Sequence, residues 1–342
     1  MLGLTMTIAD LTERELIARI QARLPPPPPW MLVGIGDDAA VVEPERNRLE
    51  VLSVDALVEG VHFDRAFTPP GAIGHRALAA NLSDLAAMGA EPRLALLSLG
   101  LPETFPAADF DALVDGIATL AKTYRLHVAG GNLTRSPGPL IVDVTVTGTV
   151  KPRRALLRSG ARPGDELYVS GTLGAAAAGL QMLRHATGTT TEGTGTTGGH
   201  GTCVLRYLYP DPRVRLGSIL ARNRAASACM DLSDGLADAV RQIAEASGVG
   251  AIIDAADLPI DAEARRWFES RGAEPVRETI SGGDDYELLV AVRPRTRGRL
   301  AAALRHGGVA LTRIGVCTPD GGVVLRRGGA TEPMPRGYSH FQ

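Results

Sequence analysis

Aspartates recur in five short segments rich in glycine, serine or apolar residues: Gly34-Ile35-Gly36-Asp37-Asp38, Ser53-Val54-Asp55, Asn81-Leu82-Ser83-Asp84, Asp231-Leu232-Ser233-Asp234-Gly235 and Gly282-Gly283-Asp284-Asp285. Carboxylates gathered without counter-charge repel one another and are costly to desolvate. Magnesium takes oxygen ligands and bridges one or two carboxylates to substrate phosphates. An acid-lined cleft holding several Mg²⁺ ions on a polyphosphate therefore accounts for all five at once. Each has a plainer alternative, because Asp after a strand often caps a helix or closes a turn. Asp84 and Asp234 fit that description, and the pairs Gly130-Gly131 and Gly282-Gly283 read singly as tight turns with positive φ.

A lysine-based phosphate loop is excluded. The only lysines are Lys122 and Lys151, and neither follows a GxxxxGK[ST] pattern. Cys203, Cys229 and Cys317 are scattered without CxxC spacing, which argues against a zinc site or a disulfide framework and leaves them as small core residues.

The elements that must position these acids are those of an α/β enzyme. At 342 residues and 44% hydrophobic content the chain is long enough for two ordinary domains. A net charge of −2 with interspersed signs offers no footprint for nucleic acid or an anionic membrane. The longest apolar stretches, such as Leu94 to Leu101, fall far short of a membrane span, and no basic region precedes an apolar run at the N-terminus. A soluble, cytoplasmic protein is expected.

Thr12 and Glu15 form a capping-box pattern, with Leu11 and Leu16 spaced as a hydrophobic staple, which predicts a helix from about Glu13 to Leu24. Leu49 to Val54 reads as a short buried strand, followed by a loop carrying Asp55, Glu59 and His62 and a helix through Ala77 to Met88. Strand Leu94 to Leu101, helix Phe110 to Tyr124 and strand Leu140 to Val150 complete a first domain, 1–152. The turn Arg162-Pro163-Gly164-Asp165 opens a second, 153–342, with a strand Glu166 to Ser170 and an alanine-rich helix from Gly174. The Gly/Thr-rich stretch 187–202 reads as a mobile surface insertion without a catalytic role.

GIGDDAAVV (34–42), NLSDLAAMGAEP (81–92), RSGARPGD (158–165), MDLSDGL (230–236), SGGDDYEL (281–288) and RGYSHF (336–341) together resemble thiamine-monophosphate kinase, in order and across nearly the whole chain. That resemblance, to a family of the aminoimidazole ribonucleotide synthetase superfamily, implies a two-domain α/β (α+β) fold. It also implies N-terminal domains that pair into a shared barrel across a homodimer. The reaction implied is transfer of the γ-phosphoryl of ATP to thiamine monophosphate, with several Mg²⁺ ions. By the same resemblance Asp38, Ser53, the peptide oxygen of Val54, Asp55, Asp84, Asn132, Asp231 and Asp234 ligate metal. Gly131, Asn132, Arg158 and Ser233 contact ATP, and His62, Asp284 and Tyr338 touch the acceptor.

Two positions depart from the family pattern. A metal-ligating GGD triplet is here Gly130-Gly131-Asn132, with an amide for a carboxylate, and GGE is here Gly282-Gly283-Asp284, one methylene shorter. The acceptor is a phosphate monoester whose second pKa lies near about 6, so its attacking oxygen carries no proton at neutral pH and no general base is required. The competing readings are another ATP-using enzyme of the superfamily, of the selenophosphate synthetase, aminoimidazole ribonucleotide synthetase or hydrogenase maturation type, and a non-catalytic nucleotide sensor. No cysteine precedes Cys203, which argues against the selenium enzyme.

Overall fold

The computed structural model describes residues 6–188 and 201–337. Most of the expected 187–202 insertion, and Tyr338, lie outside these residues. The chain divides into two compact units, one within Met1–Leu82 and Pro92–Lys151, the other within Ser83–Glu91 and Pro152–Gln342.

The first unit opens with α1 (Glu13–Arg23). Its capping box is formed: the Glu15 amide donates to Thr12 Oγ1 at 3.3 Å and the Thr12 amide to Glu15 Oε2 at 2.7 Å. A short hairpin, β1 (Met31–Val33) and β2 (Val41–Val42), carries the Gly34–Asp38 segment between its strands. Then follow β3 (Leu49–Val58), α2 (Pro70–Ala87), β4 (Glu91–Pro102), α3 (Ala107–Tyr124), β5 (His127–Ser136) and β6 (Ile141–Val150). The sheet order is β3-β6-β4-β5, with β3 antiparallel to β6 and β4 parallel to β5.

One face of this sheet is core. Val142, Val144 and Val146 alternate inward along β6, and they are fully buried like Leu78 of α2 and Leu113 and Ile117 of α3. Each such side chain contributes about 1.5–3 kcal/mol relative to exposure. The helices approach closely at glycine: a Cβ on Gly74 would fall 2.0 Å from the Leu113 carbonyl oxygen. The other face is open, and β3 is longer and less buried than its sequence suggests. Leu52 and Val54 are 68% and 59% exposed, and Asp55 lies within the strand rather than in a following loop.

The second unit contains β7 (Glu166–Ser170), α4 (Ala175–Gly188), α5 (Thr202–Leu208), α6 (Val214–Asn223), β8 (Ala228–Asp231), α7 (Leu236–Ser247), β9 (Gly250–Asp254), α8 (Ala262–Ser270), α9 (Pro275–Ser281), β10 (Leu288–Val292), α10 (Arg297–Gly307), β11 (Leu311–Thr318), β12 (Val323–Arg327) and β13 (Ala330–Pro333). Its seven strands are ordered β13-β12-β9-β11-β7-β10-β8, and only β12 and β9 run parallel. Val169, Met230, Ile253, Leu289 and Ile314 from the sheet pack with Leu236, Val240 and Ile243 of α7 and Ile280 of α9. The three cysteines are buried, and burial pushes their thiol pKa values up, that of Cys317 to about 12. They have the character of inert core residues. Among the described residues no helix is long and apolar enough to cross a membrane.

Candidate active site

In the first unit the hairpin holds Asp37 and Asp38 exposed to solvent, and the Asp38 amide donates to Asp37 Oδ1 at 2.9 Å. Both line a groove of about 1250 Å³, together with Gly130, Gly131 and Asn132 of β5 and Asp143 of β6. Gly130-Gly131 is not a turn but part of a continuous strand. A Cβ at Gly131, where φ is +156°, would lie 1.8 Å from the Leu97 carbonyl oxygen, so only glycine lets β5 pass β4 there. The consequence is a stretch of main chain on the groove wall that a side chain does not screen.

Ser53 and Asp55 sit half-buried on β3, in register with Val146 and Val144, and the Asn81 amide nitrogen lies 3.5 Å from the Asp55 carbonyl oxygen. Ser53, Val54 and Asp55 are not among the described residues lining the groove with Asp38 and Asn132. The Asn81 side-chain oxygen is buried without a hydrogen-bond partner, a hard oxygen donor left over beside this strand. His62 Nδ1 accepts the Val58 amide at 3.0 Å, so its neutral ring carries the proton on Nε2 and is a donor there. That suits an anionic ligand.

In the second unit Ser83-Asp84 adjoins the acidic segments at 231–235 and 282–285. Asp231 ends β8, 3% exposed, and its Oδ2 accepts from Ser83 Oγ at 2.8 Å, which ties Ser83-Asp84 to the Asp231–Gly235 segment. The Asp284 amide donates to the Ser233 carbonyl at 2.8 Å and the Tyr286 amide to that of Leu232 at 3.0 Å. Asp84, Ser233, Asp234 and Asp284 are all half-buried here. Positive φ falls not on Gly282 or Gly283 but on Asp284 (+67°) and Tyr286 (+49°), with Tyr286 Oη donating to Asp284 Oδ1 at 3.1 Å. Arg158 is exposed and donates to Gln242 Oε1 of α7.

The donor set fits magnesium. Aspartate, serine, asparagine and main-chain oxygens are hard donors, with no thiolate among the proposed ligands. No group of three His, Cys, Asp or Glu among the described residues could alone hold a metal ion. Magnesium does not need such a cage, since it keeps several waters and completes its octahedron from substrate phosphates.

The side-chain partners of Ser83 and Glu287 are not legible from residue type. A serine inside a helix and a glutamate just before an apolar strand carry no local sign of their partners, which only the fold of the second unit supplies.

Two family models match the chain: AIR synthase related protein, N-terminal domain, over residues 36–150, and AIR synthase related protein, C-terminal domain, over residues 162–328. The two mixed α/β units with their acidic segments are those of the AIR synthase related class. The thiamine-monophosphate kinase of Escherichia coli (strain K12) is 40% identical over 334 residues, covering 96% of this chain and 98% of that protein. The crystal structure of thiamine-monophosphate kinase from Stenotrophomonas maltophilia K279a matches with a TM-score of 0.80 at 39% identity, over 92% of this chain and 96% of that one. The structure of AaThiL complexed with AMPPCP and TMP matches with a TM-score of 0.75 at 31% identity, over 99% of this chain and 100% of that one. The chain belongs to the thiamine-monophosphate kinase family.

Proposed function

We propose that this protein transfers the γ-phosphoryl group of ATP to the phosphate of thiamine monophosphate, giving thiamine diphosphate and ADP. The observation that carries the reading is the meeting of Ser83-Asp84 with two acidic segments in the second unit, through Ser83–Asp231 and Asp284–Ser233, in a chain 40% identical to such a kinase over 96% of its length. AMPPCP, the methylene analogue of ATP, bound to a family member supports ATP as the phosphoryl donor.

The protein's own tasks follow from the acceptor. Its dianionic phosphate needs no base, so side chains are required to hold two anions in line and to offset the charge that spreads over the transferred group. In the first unit Asp38, Ser53, the Val54 carbonyl, Asp55 and Asn132 would hold Mg²⁺, and in the second Asp84, Asp231 and Asp234. When bound, Mg²⁺ neutralises phosphate charge. Gly131 and Asn132 offer main-chain and amide groups to ATP, Ser233 a hydroxyl, and Arg158 a guanidinium whose fork matches phosphate oxygens. His62 donates through Nε2 to the acceptor, while Asp284, and Tyr338 beyond the described residues, complement its cationic thiazolium ring. No covalent intermediate is involved.

The active form is a homodimer. Leu52, Val54 and Leu96 (40% exposed) form an apolar stripe on the open face of the first unit's sheet, which a second copy of the same face would cover.

Incubation of the purified protein with Mg·ATP and thiamine monophosphate should yield thiamine diphosphate. No product at any Mg²⁺ concentration contradicts the reading, and nucleotide binding without product would mark a sensor instead.

A further inference from the structure

Behind the Asp284 turn lies a polar network that no step of the phosphoryl transfer uses. Glu287 is fully buried, yet it accepts from Arg213 Nε at 2.7 Å, from Arg206 Nη2 at 2.6 Å, from Arg213 Nη2 and from Ser170 Oγ. A Cβ on Gly171, where φ is +61°, would lie 2.2 Å from Glu287 Oε1, so the chain leaving β7 is shaped to receive that carboxylate. Two residues earlier, Asp285 is also buried, and its carboxylate accepts from the amides of Gly174 at 2.8 Å and Ala176 at 3.3 Å, at the first turn of α4.

Asp285 and Glu287 thus flank Tyr286 and tie it to β7, α4 and the arginines of α5 and the start of α6. The backbone they enclose is unusual. Asp284 and Tyr286 are both non-glycine residues with positive φ, a conformation that persists only where the surroundings over-determine it. Buried carboxyl groups whose oxygens are hydrogen-bonded supply such a constraint.

We propose that Asp285 and Glu287 are positioning residues for acceptor binding: by fixing the chain on both sides of Tyr286, they hold Asp284 in the left-handed conformation that presents its carboxylate to thiamine monophosphate. This rests on the proposed contact between Asp284 and the acceptor. Burial raises the Asp285 pKa to about 7, against the lowering effect of the Gly174 and Ala176 amides and of Arg206, and the nearby Glu287 raises it further. The side chain is therefore held by its hydrogen bonds in a place that disfavours its charge.

The test compares Asp284→Ala, Asp285→Asn and the double variant by steady-state kinetics, and by calorimetric Kd for thiamine monophosphate, with near-UV circular dichroism as the check of folding. Asp285→Asn keeps the shape and one acceptor oxygen. It should raise the KM and Kd for thiamine monophosphate about tenfold or more, as expected of a displaced binding group, with KM for ATP unchanged. In the Asp284→Ala background it should add nothing. An unchanged Kd in Asp285→Asn beside a weakened Asp284→Ala, or additive effects in the double variant, overturns the positioning role alone. An unchanged Kd in Asp284→Ala overturns the acceptor contact and the proposal with it. If Asp285→Asn does not fold, Arg206→Lys, whose side chain is partly exposed, replaces it with the same expected split and the same overturning result.

Discussion

Ser83 and Asp231 lie 148 residues apart in sequence, yet the serine hydroxyl donates to the Asp231 carboxylate at 2.8 Å, and both side chains are buried. The bond fixes one carboxylate oxygen of a proposed metal ligand. It also joins Ser83-Asp84 to the Asp231–Gly235 segment within the second unit.

Ser83→Ala leaves that buried oxygen without its donor. Hydrogen bonds to charged groups contribute about 1.5–3 kcal/mol, so urea unfolding should show a loss of that order. The Mg²⁺ concentration for half-maximal activity should rise as Asp231 loses its orientation. Unfolding identical to the parent protein would contradict the role given to this bond.

Asn132 is the position at which the resemblance implies a carboxylate and this chain has an amide. Asn132→Asp restores a charged oxygen beside Asp38 on the groove wall, in a position open to solvent. Greater ligand charge strengthens divalent-ion binding, so titration of activity against Mg²⁺ should shift to lower concentration. A shift to higher concentration would remove Asn132 from the proposed ligands.

The raised pKa of Asp285, about 7 and due first to burial, has a defined sign in stability. A group whose folded pKa lies above its unfolded value contributes stability that is fully present below the unfolded pKa and is lost as pH rises through the folded one. Between pH 5 and pH 8 the stability of the parent protein relative to Asp285→Asn should therefore decline, by at most about 1.4 kcal/mol per pH unit. Urea denaturation across that range measures the slope, and parallel curves for the two proteins would contradict it.

Leu52→Glu places a charge on the open face of β3, where the side chain is 68% exposed in the single chain. The isolated fold should tolerate it. Across a pairing interface it removes an apolar contact of about 1.5–3 kcal/mol and adds a desolvated charge. Sedimentation should then show a monomer where the parent protein is a dimer, and an unchanged dimer would move the interface elsewhere.

Much of this architecture was legible in local pattern. The Thr12–Glu15 capping box and the strand Glu166–Ser170 fall where the sequence places them, because caps and β-rich runs are decided by neighbouring residues. Local pattern misleads where a partner distant in sequence decides the outcome. Leu52 and Val54 read as buried, since periodicity cannot tell a face covered by its own chain from one left open. Gly130-Gly131 read as a turn, whereas the strand beside it, through Leu97, is what demands glycine. Positive φ was expected at Gly282-Gly283 and occurs at Asp284 and Tyr286, enforced by the buried contacts of Asp285 and Glu287. The proposed acids were visible as residue types, but Ser83, Arg206 and Arg213 gave no signal until the fold set them against carboxylates.

The most direct measurement follows the label of [γ-³²P]ATP in the presence of Mg²⁺ and thiamine monophosphate. All of the transferred label should be recovered in the terminal phosphate of thiamine diphosphate, in amounts equal to the ADP formed and only when thiamine monophosphate is present. Label released as inorganic phosphate, with thiamine monophosphate unchanged, would contradict the assignment.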